Sequence, residues 1–222
     1  KNITCRILGL GLSPFLILAT DSVIIIIMNT VLQHYGGPTE GDLLITCATI
    51  VQSYMMLITG PMLGISSGTQ AILSYNYGAK ATRRVRKAER CILLLCLCFT
   101  SLMFLLSRIV PQYFIGIFTR DPGLTDLCIW GIHIFTLMIV PLSFQYVFVD
   151  GFTALGRSKT ALFLSLFRKG DYVLFTMILP IFYGARSAFY AQPLADGIAA
   201  VMSTIAFLLI FKKHLQKQEV SL

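Results

Sequence analysis

From Leu43 to Ala79 the chain runs for 37 residues without a charge, and over the next eleven positions it places Lys80, Arg83, Arg84, Arg86, Lys87 and Arg90 against a single acid, Glu89. A helix of a soluble domain carries charged or polar side chains along its wet face. A membrane helix needs roughly 20 mostly apolar residues to cross the hydrocarbon core. The basic segment behind the apolar run fits a cytoplasmic flank, where Lys and Arg accumulate. These two features together predict a spanning helix over roughly Leu43 to Ile72. The stretch from Gly64 to Arg90 then carries the chain out of the hydrocarbon and into a basic loop.

The whole chain agrees with this start. Its residues are 56% hydrophobic, above the roughly 45–50% of an ordinary soluble domain even with glycine counted, and 222 residues leave room for six spans joined by short loops. A net charge of +8 would suggest nucleic acid in a soluble protein, but here the basic residues gather at the ends of apolar runs. Anionic lipid headgroups are the partners they predict, with no nucleic acid. Six cysteines show no Cys-x-x-Cys pair and lie mostly within apolar runs, as small packing residues do. His34, His133 and His214 lack metal-ligand spacing. The chain opens at Lys1 without a signal peptide, which predicts a fragment or a processed product.

Taken in order, a first helix is expected over Ile7 to Gln33, bent at Pro14 and carrying Asp21 near its middle. A carboxylate at that depth is costly. It is either a ligand for a coupling ion or a cationic substrate, or a neutral carboxyl bonded to a neighbouring helix. The loop His34 to Asp42 contains Glu40 and Asp42 but no Lys or Arg, so it is expected outside. In the second helix Gly60-Pro61 predicts a kink, and Gly64 and Gly68 have a spacing that allows close helix approach. A third helix is expected after Arg90, over Cys91 to Ser107. Pro111 and Pro122 then interrupt an interfacial segment outside the membrane. A fourth helix is expected over Leu127 to Val149 with a kink at Pro141, ending in a turn that Arg157 and Lys159 mark as cytoplasmic; Asp150 at its inner end reads as structural. The fifth, Thr160 to Tyr183, holds Arg168, Lys169 and Asp171. Arg168 and Asp171 are three apart on one face and are expected to pair, leaving Lys169 to find a carboxylate elsewhere or snorkel. The sixth covers Ala188 to Phe211 with Asp196 two turns in, and Lys212, Lys213 and Lys217 close it.

Several of these segments resemble the C-terminal half of multidrug and toxic compound extrusion (MATE) transporters. They are SYNYGAK at the end of the second helix, GLGLSPFLILATDSVIIIIMNTVLQHYGG as the first, ALGR between the fourth and fifth, and YAQPLAD opening the sixth. Ala71 stands where the family carries a proline, and Lys169 and Asp171 depart from its pattern. The resemblance implies an all-α integral membrane protein. Residues 1–222 would form one six-helix lobe of a two-lobe transporter, with the N-terminal lobe as its missing partner. It further implies export of organic cations or drugs in exchange for Na+ or H+, with no other cofactor. Asp21, Asn29, Gln52, Gln145, Arg168, Asp171 and Asp196 are the candidate substrate or ion ligands, with Na+ near Asp21.

If both termini are inside, 13 of the 18 Lys and Arg fall on the cytoplasmic side of a multi-pass protein of the cell membrane. Two other readings stay open. A lipid-linked oligosaccharide flippase of the same superfamily would use Arg168 and Lys169 to bind a pyrophosphate, and a non-transporting membrane subunit would bind no ligand. An enzyme is not expected, because no nucleophile-base pair or metal cluster stands out.

Overall fold

The computed structural model describes the backbone of residues 2–211 and the side chains of residues 19–210. The side chains of Cys5, Arg6 and Pro14, and all of Lys1, Lys212, Lys213, His214 and Lys217, lie outside that description. The described residues are helical almost throughout and contain no strand. They form α1 (Asn2–Gly68), α2 (Gln70–Gly78), α3 (Thr82–Ile109), α4 (Pro111–Ile115), α5 (Pro122–Phe135), α6 (Ile139–Ala154) and α7 (Ser158–Tyr183). A 3-10 segment, Ala185–Tyr190, leads into α8 (Ala191–Ala206), which runs into a π turn, Phe207–Phe211.

Gly37 divides α1 into two arms. Its φ of 71° and ψ of −170° are open to glycine and strained for other residues, and the chain reverses there before Pro38 starts the second arm. The arms meet closely. A Cβ on Gly36 would lie 2.8 Å from the Gly41 backbone, so small residues on both sides of the turn let the hairpin close. The expected outer loop His34 to Asp42 is therefore reduced to a tight turn, with Glu40 and Asp42 already helical.

Residues Ala19–Gly78, Thr82–Ile109 and Ala185–Ile210 are long and apolar enough to cross a bilayer, and α5 with α6, bent by 49°, qualify as one broken span. Because the first of these folds back at Gly37, it supplies two crossings. At 26 residues, α7 is about 39 Å long and also spans in length, although its three adjacent ionisable groups make it more polar than the others. Six passes result among the described residues. Large apolar side chains such as Ile26, Met56, Leu94, Leu105 and Phe182 remain exposed on the outside of the bundle, as lipid-facing surface does and a soluble monomer's surface rarely does.

Three boundaries differ from those expected. The basic segment after Gly78 is a loop only at 79–81, where Lys80 adopts a positive φ of 55°; Arg83, Arg84, Arg86, Lys87 and Arg90 already lie on α3. Lys and Arg are good helix formers, so the helix continues past the hydrocarbon edge. The second helix keeps helical backbone angles through Gly60-Pro61 and ends at Gly68, with Thr69 between α1 and α2. The fourth breaks at 136–138, just before Pro141.

That last break is covered by side chains. Arg108 Nη2 donates to the His133 carbonyl at 2.7 Å, and the Ser107 and Thr136 hydroxyls bond at 3.1 Å. Backbone groups freed inside a membrane need such partners, because no water is available. α6 is the central element, packed against α1, α3, α7 and α8. Phe148 stacks on Phe207 with ring centroids 4.0 Å apart, and Thr100 and Ser143 join α3 to α6 at 2.9 Å. α5 approaches the second arm of α1 at Gly131, where a Cβ would lie 2.8 Å from Val51 Cγ2. The described cysteines are unpaired, and Cys47, Cys96 and Cys128 are buried in the core, as expected of packing residues.

Candidate functional site

α7 carries two adjacent cations that point to different neighbours. Successive residues on a helix are about 100° apart, so Lys169 turns toward the first arm of α1 while Arg168 turns toward α8. Lys169 Nζ lies 2.6 Å from Asp21 Oδ1. Arg168 Nη1 lies 3.1 Å from Asp196 Oδ1, and its guanidinium stands 5.6 Å from the Tyr146 ring centroid. The Asp196 carboxylate also accepts from Gln192 Nε2 at 2.8 Å. Two ion pairs thus join α1, α7 and α8. The expected Arg168–Asp171 pair does not form, because Asp196 on α8 takes the guanidinium. Asp171 Oδ2 has no hydrogen-bond partner.

Between these pairs lies a cleft of about 200 Å³. Its polar lining is Asp21, Gln52, Arg168, Lys169, Tyr172 and Gln192, and Ile24 and Ile25 supply an apolar edge. The two pairs differ in access. Lys169 is 5% exposed and its partner Asp21 is 52% exposed, whereas Asp196 has no exposed surface. Asp21 therefore presents a carboxylate to the cleft while a buried amine holds it from behind. The volume is below the roughly 300–1,000 Å³ of complete small-molecule sites, as expected of one wall of a larger cavity.

The remaining candidates lie apart from this cleft. Asn29 lines a wider groove of about 500 Å³ nearer the Gly37 turn, with Thr30, Gln33, His34 and Ile45. Gln145 is buried and structural: its Nε2 donates to the Leu164 carbonyl at 3.2 Å, and its Oε1 accepts from the Ser203 hydroxyl. It ties α6 to α7 and α8. Asp150 likewise serves packing, accepting from Ser66 Oγ at 2.5 Å and Gln70 Nε2 at 2.8 Å. From sequence, Lys169 has a ligand role only in the flippase alternative and Gln192 has none; a polar residue one turn before Asp196 on the same helix face is the available signal.

A family profile described as MatE matches residues 15–179, nearly three quarters of the chain. The chain belongs to the MatE family. No curated protein matches it in sequence. Among solved structures, this MatE chain is similar to a multidrug resistance MATE family transporter of the MOP superfamily in its outward-facing conformation, at 18% identity and a TM-score of 0.83. That match covers 99% of this chain and 48% of the transporter. The inward-facing conformation matches at 18% identity and 0.82, covering 99% and 49%. A MOP superfamily transporter from Pyrococcus furiosus, whose binding pocket is described as having reversed polarity, matches at 18% identity and a TM-score of 0.83, covering 99% and 48%. At these identities the likeness is one of fold. The MatE chain spans about half the length of the transporters it resembles, and its fold is that of one lobe.

Proposed function

We propose that this chain is the C-terminal lobe of a secondary antiporter that exports organic cations in exchange for Na+ or H+, with the Asp21 cleft as its wall of the transport pathway. The Lys169–Asp21 contact carries this reading. At 2.6 Å, a buried internal cation already occupies the carboxylate that faces the cleft. An organic cation, a sodium ion or a proton entering the cleft competes with Lys169 for Asp21, and each differential affinity shifts an equilibrium between cavity states. Lys169 thus acts as the counter-ion that keeps the site neutral when no cargo is bound.

The charge balance favours this reading over a pyrophosphate flippase. Both cations of the cleft are neutralised by carboxylates, Arg168 by Asp196 and Lys169 by Asp21, so no net positive field is left to draw an anion. The partners of the chain are then a cationic small molecule, the bilayer and an N-terminal lobe that closes the cavity. Both termini lie in the cytoplasm of a cell-membrane protein, on the strength of the basic residues at 80–90.

The test is efflux from vesicles containing the full-length protein. Asp21→Asn keeps the shape of the side chain but removes its charge, so it is expected to insert normally and lose ion-coupled efflux of cationic compounds. Wild-type efflux, with unchanged dependence on Na+ and pH, would reduce Asp21 to a satisfied polar group.

A further inference from the structure

The side of α3 that meets lipid does not end with its apolar residues. Leu94, Leu95, Leu102, Leu105, Leu106 and Ile109 are exposed on it, and so are Arg83, Arg84, Lys87 and Arg90 in its first turns. At about 100° per residue these ten share one sector of about 160°. The buried Val85, Ile92, Cys96, Thr100 and Ser107 fall on the opposite side. Glu89, the single acid of α3, belongs with the buried side: it is 4% exposed, and a Cβ on Gly151 of α6 would lie 2.7 Å from its Oε1. The outer face thus carries four cations, no acid, and an apolar continuation.

Nothing on α3 balances these cations. None of the four joins an ion pair among the described residues, and the first turn of α3 holds no acid. Positive charge at a helix N-terminus opposes the macrodipole, and like charges four apart, such as Arg83 and Lys87, repel. Arg83, Lys87 and Arg90 follow one another at four and three residues, so their Cβ atoms are neighbours at about 5–6 Å. Together they rise about 10 Å along the axis, comparable with one headgroup layer of about 5–8 Å. Tyr75 is exposed on α2, which packs beside α3, as aromatic rings are at headgroup level. α3 packs on α1, α2 and α6, whereas the Asp21 cleft is lined from α1, α7 and α8, so the basic face is no part of the cleft wall.

We propose that this face of α3 holds one anionic phospholipid, with its phosphate on Arg83, Lys87 and Arg90 and an acyl chain along Leu94, Leu102 and Leu105. The first turns call for an anion and the rest of the same sector calls for hydrocarbon; a phospholipid supplies both in that order. A free phosphate would leave the apolar part of the face unused. The site is independent of the Asp21 cleft and of which side of the membrane this end of the lobe faces.

The test uses the full-length protein in detergent. The midpoint of thermal unfolding is expected to rise saturably with dioleoylphosphatidylglycerol, and not with the same mole fraction of dioleoylphosphatidylcholine or with glycerol phosphate, which offers the phosphate without the acyl chains. Arg83→Gln with Lys87→Gln should raise the half-saturating phosphatidylglycerol at least tenfold and remove one retained lipid in native mass spectrometry. Glutamine is a good helix former, so α3 keeps its fold in that variant. Arg83→Lys with Lys87→Arg, which keeps both charges, should respond as the wild type does. So should Arg120→Gln with Lys159→Gln, which removes two exposed cations elsewhere. The proposal is overturned if phosphatidylcholine or glycerol phosphate stabilises equally, if the double glutamine variant at 83 and 87 responds like the wild type, or if the pair at 120 and 159 has the same effect, which would leave net charge as the cause.

Discussion

Asp196 has no exposed surface, yet it holds a charge-assisted bond from Arg168 and a second bond from Gln192. Removing one member of a buried pair strands the other, at a cost of about 3–5 kcal/mol. Arg168→Met is therefore expected to destabilise the protein by about that amount in denaturant titration, and Arg168→Met with Asp196→Leu should recover most of it. A single-variant cost below about 1 kcal/mol would mean that water or lipid headgroups reach Asp196. The sequence exposed these ionisable residues because charges inside apolar runs stand out, but it did not reveal their pairing. The spacing of Arg168 and Asp171 satisfies a rule internal to one helix, and Asp196 overrides it from another helix. Glu89 escaped notice for a related reason. Six basic neighbours in eleven positions made it look like a solvated loop acid, and only the packing of α3 against Gly151 shows it buried.

At the scale of elements, the apolar runs located the crossings well and their ends poorly. Hydropathy records where lipid begins, whereas hydrogen bonding decides where a helix stops. α3 consequently extends through its basic turns to Thr82, and the outer loop shrinks to the turn at Gly37. The break before Pro141 is expected near that position, but its stabilisation is not, since Ser107 and Arg108 reach it from α3, a different helix. Gly131 tests the packing of α5 against the second arm of α1. Gly131→Ala drives a methyl to within 2.8 Å of Val51 Cγ2 and 3.2 Å of Phe189, which should cost about 1–3 kcal/mol in unfolding free energy. Adding Val51→Ala should return part of it, because the clash is with that side chain. No change in the single variant would show that the two helices are free to separate.

For the whole molecule, the six-helix lobe and its family were legible from SYNYGAK, ALGR and QPLAD together with the apolar runs, and the fold agrees with them. The lobe matches outward-facing and inward-facing transporters equally well, with TM-scores of 0.83 and 0.82. The proposed orientation rests on the basic start of α3. Arg186 and Glu40, bonded at 3.0 Å, place the Gly37 turn and the start of the last span at one end of the lobe, opposite residues 79–81. In a background lacking native cysteines, Thr39→Cys is expected to label with an impermeant maleimide in intact cells and Lys80→Cys is not; the reverse pattern would invert the topology. The exchange of cations on Asp21 is tested most directly by equilibrium binding of a cationic dye to the full-length protein, comparing wild type, Lys169→Gln and Asp21→Asn. Freed of its internal competitor, Lys169→Gln is predicted to bind the dye at least tenfold more tightly, and Asp21→Asn to lose binding. Equal affinity in all three proteins, or tighter binding of a polyprenyl pyrophosphate than of the dye by the wild type, would contradict the account.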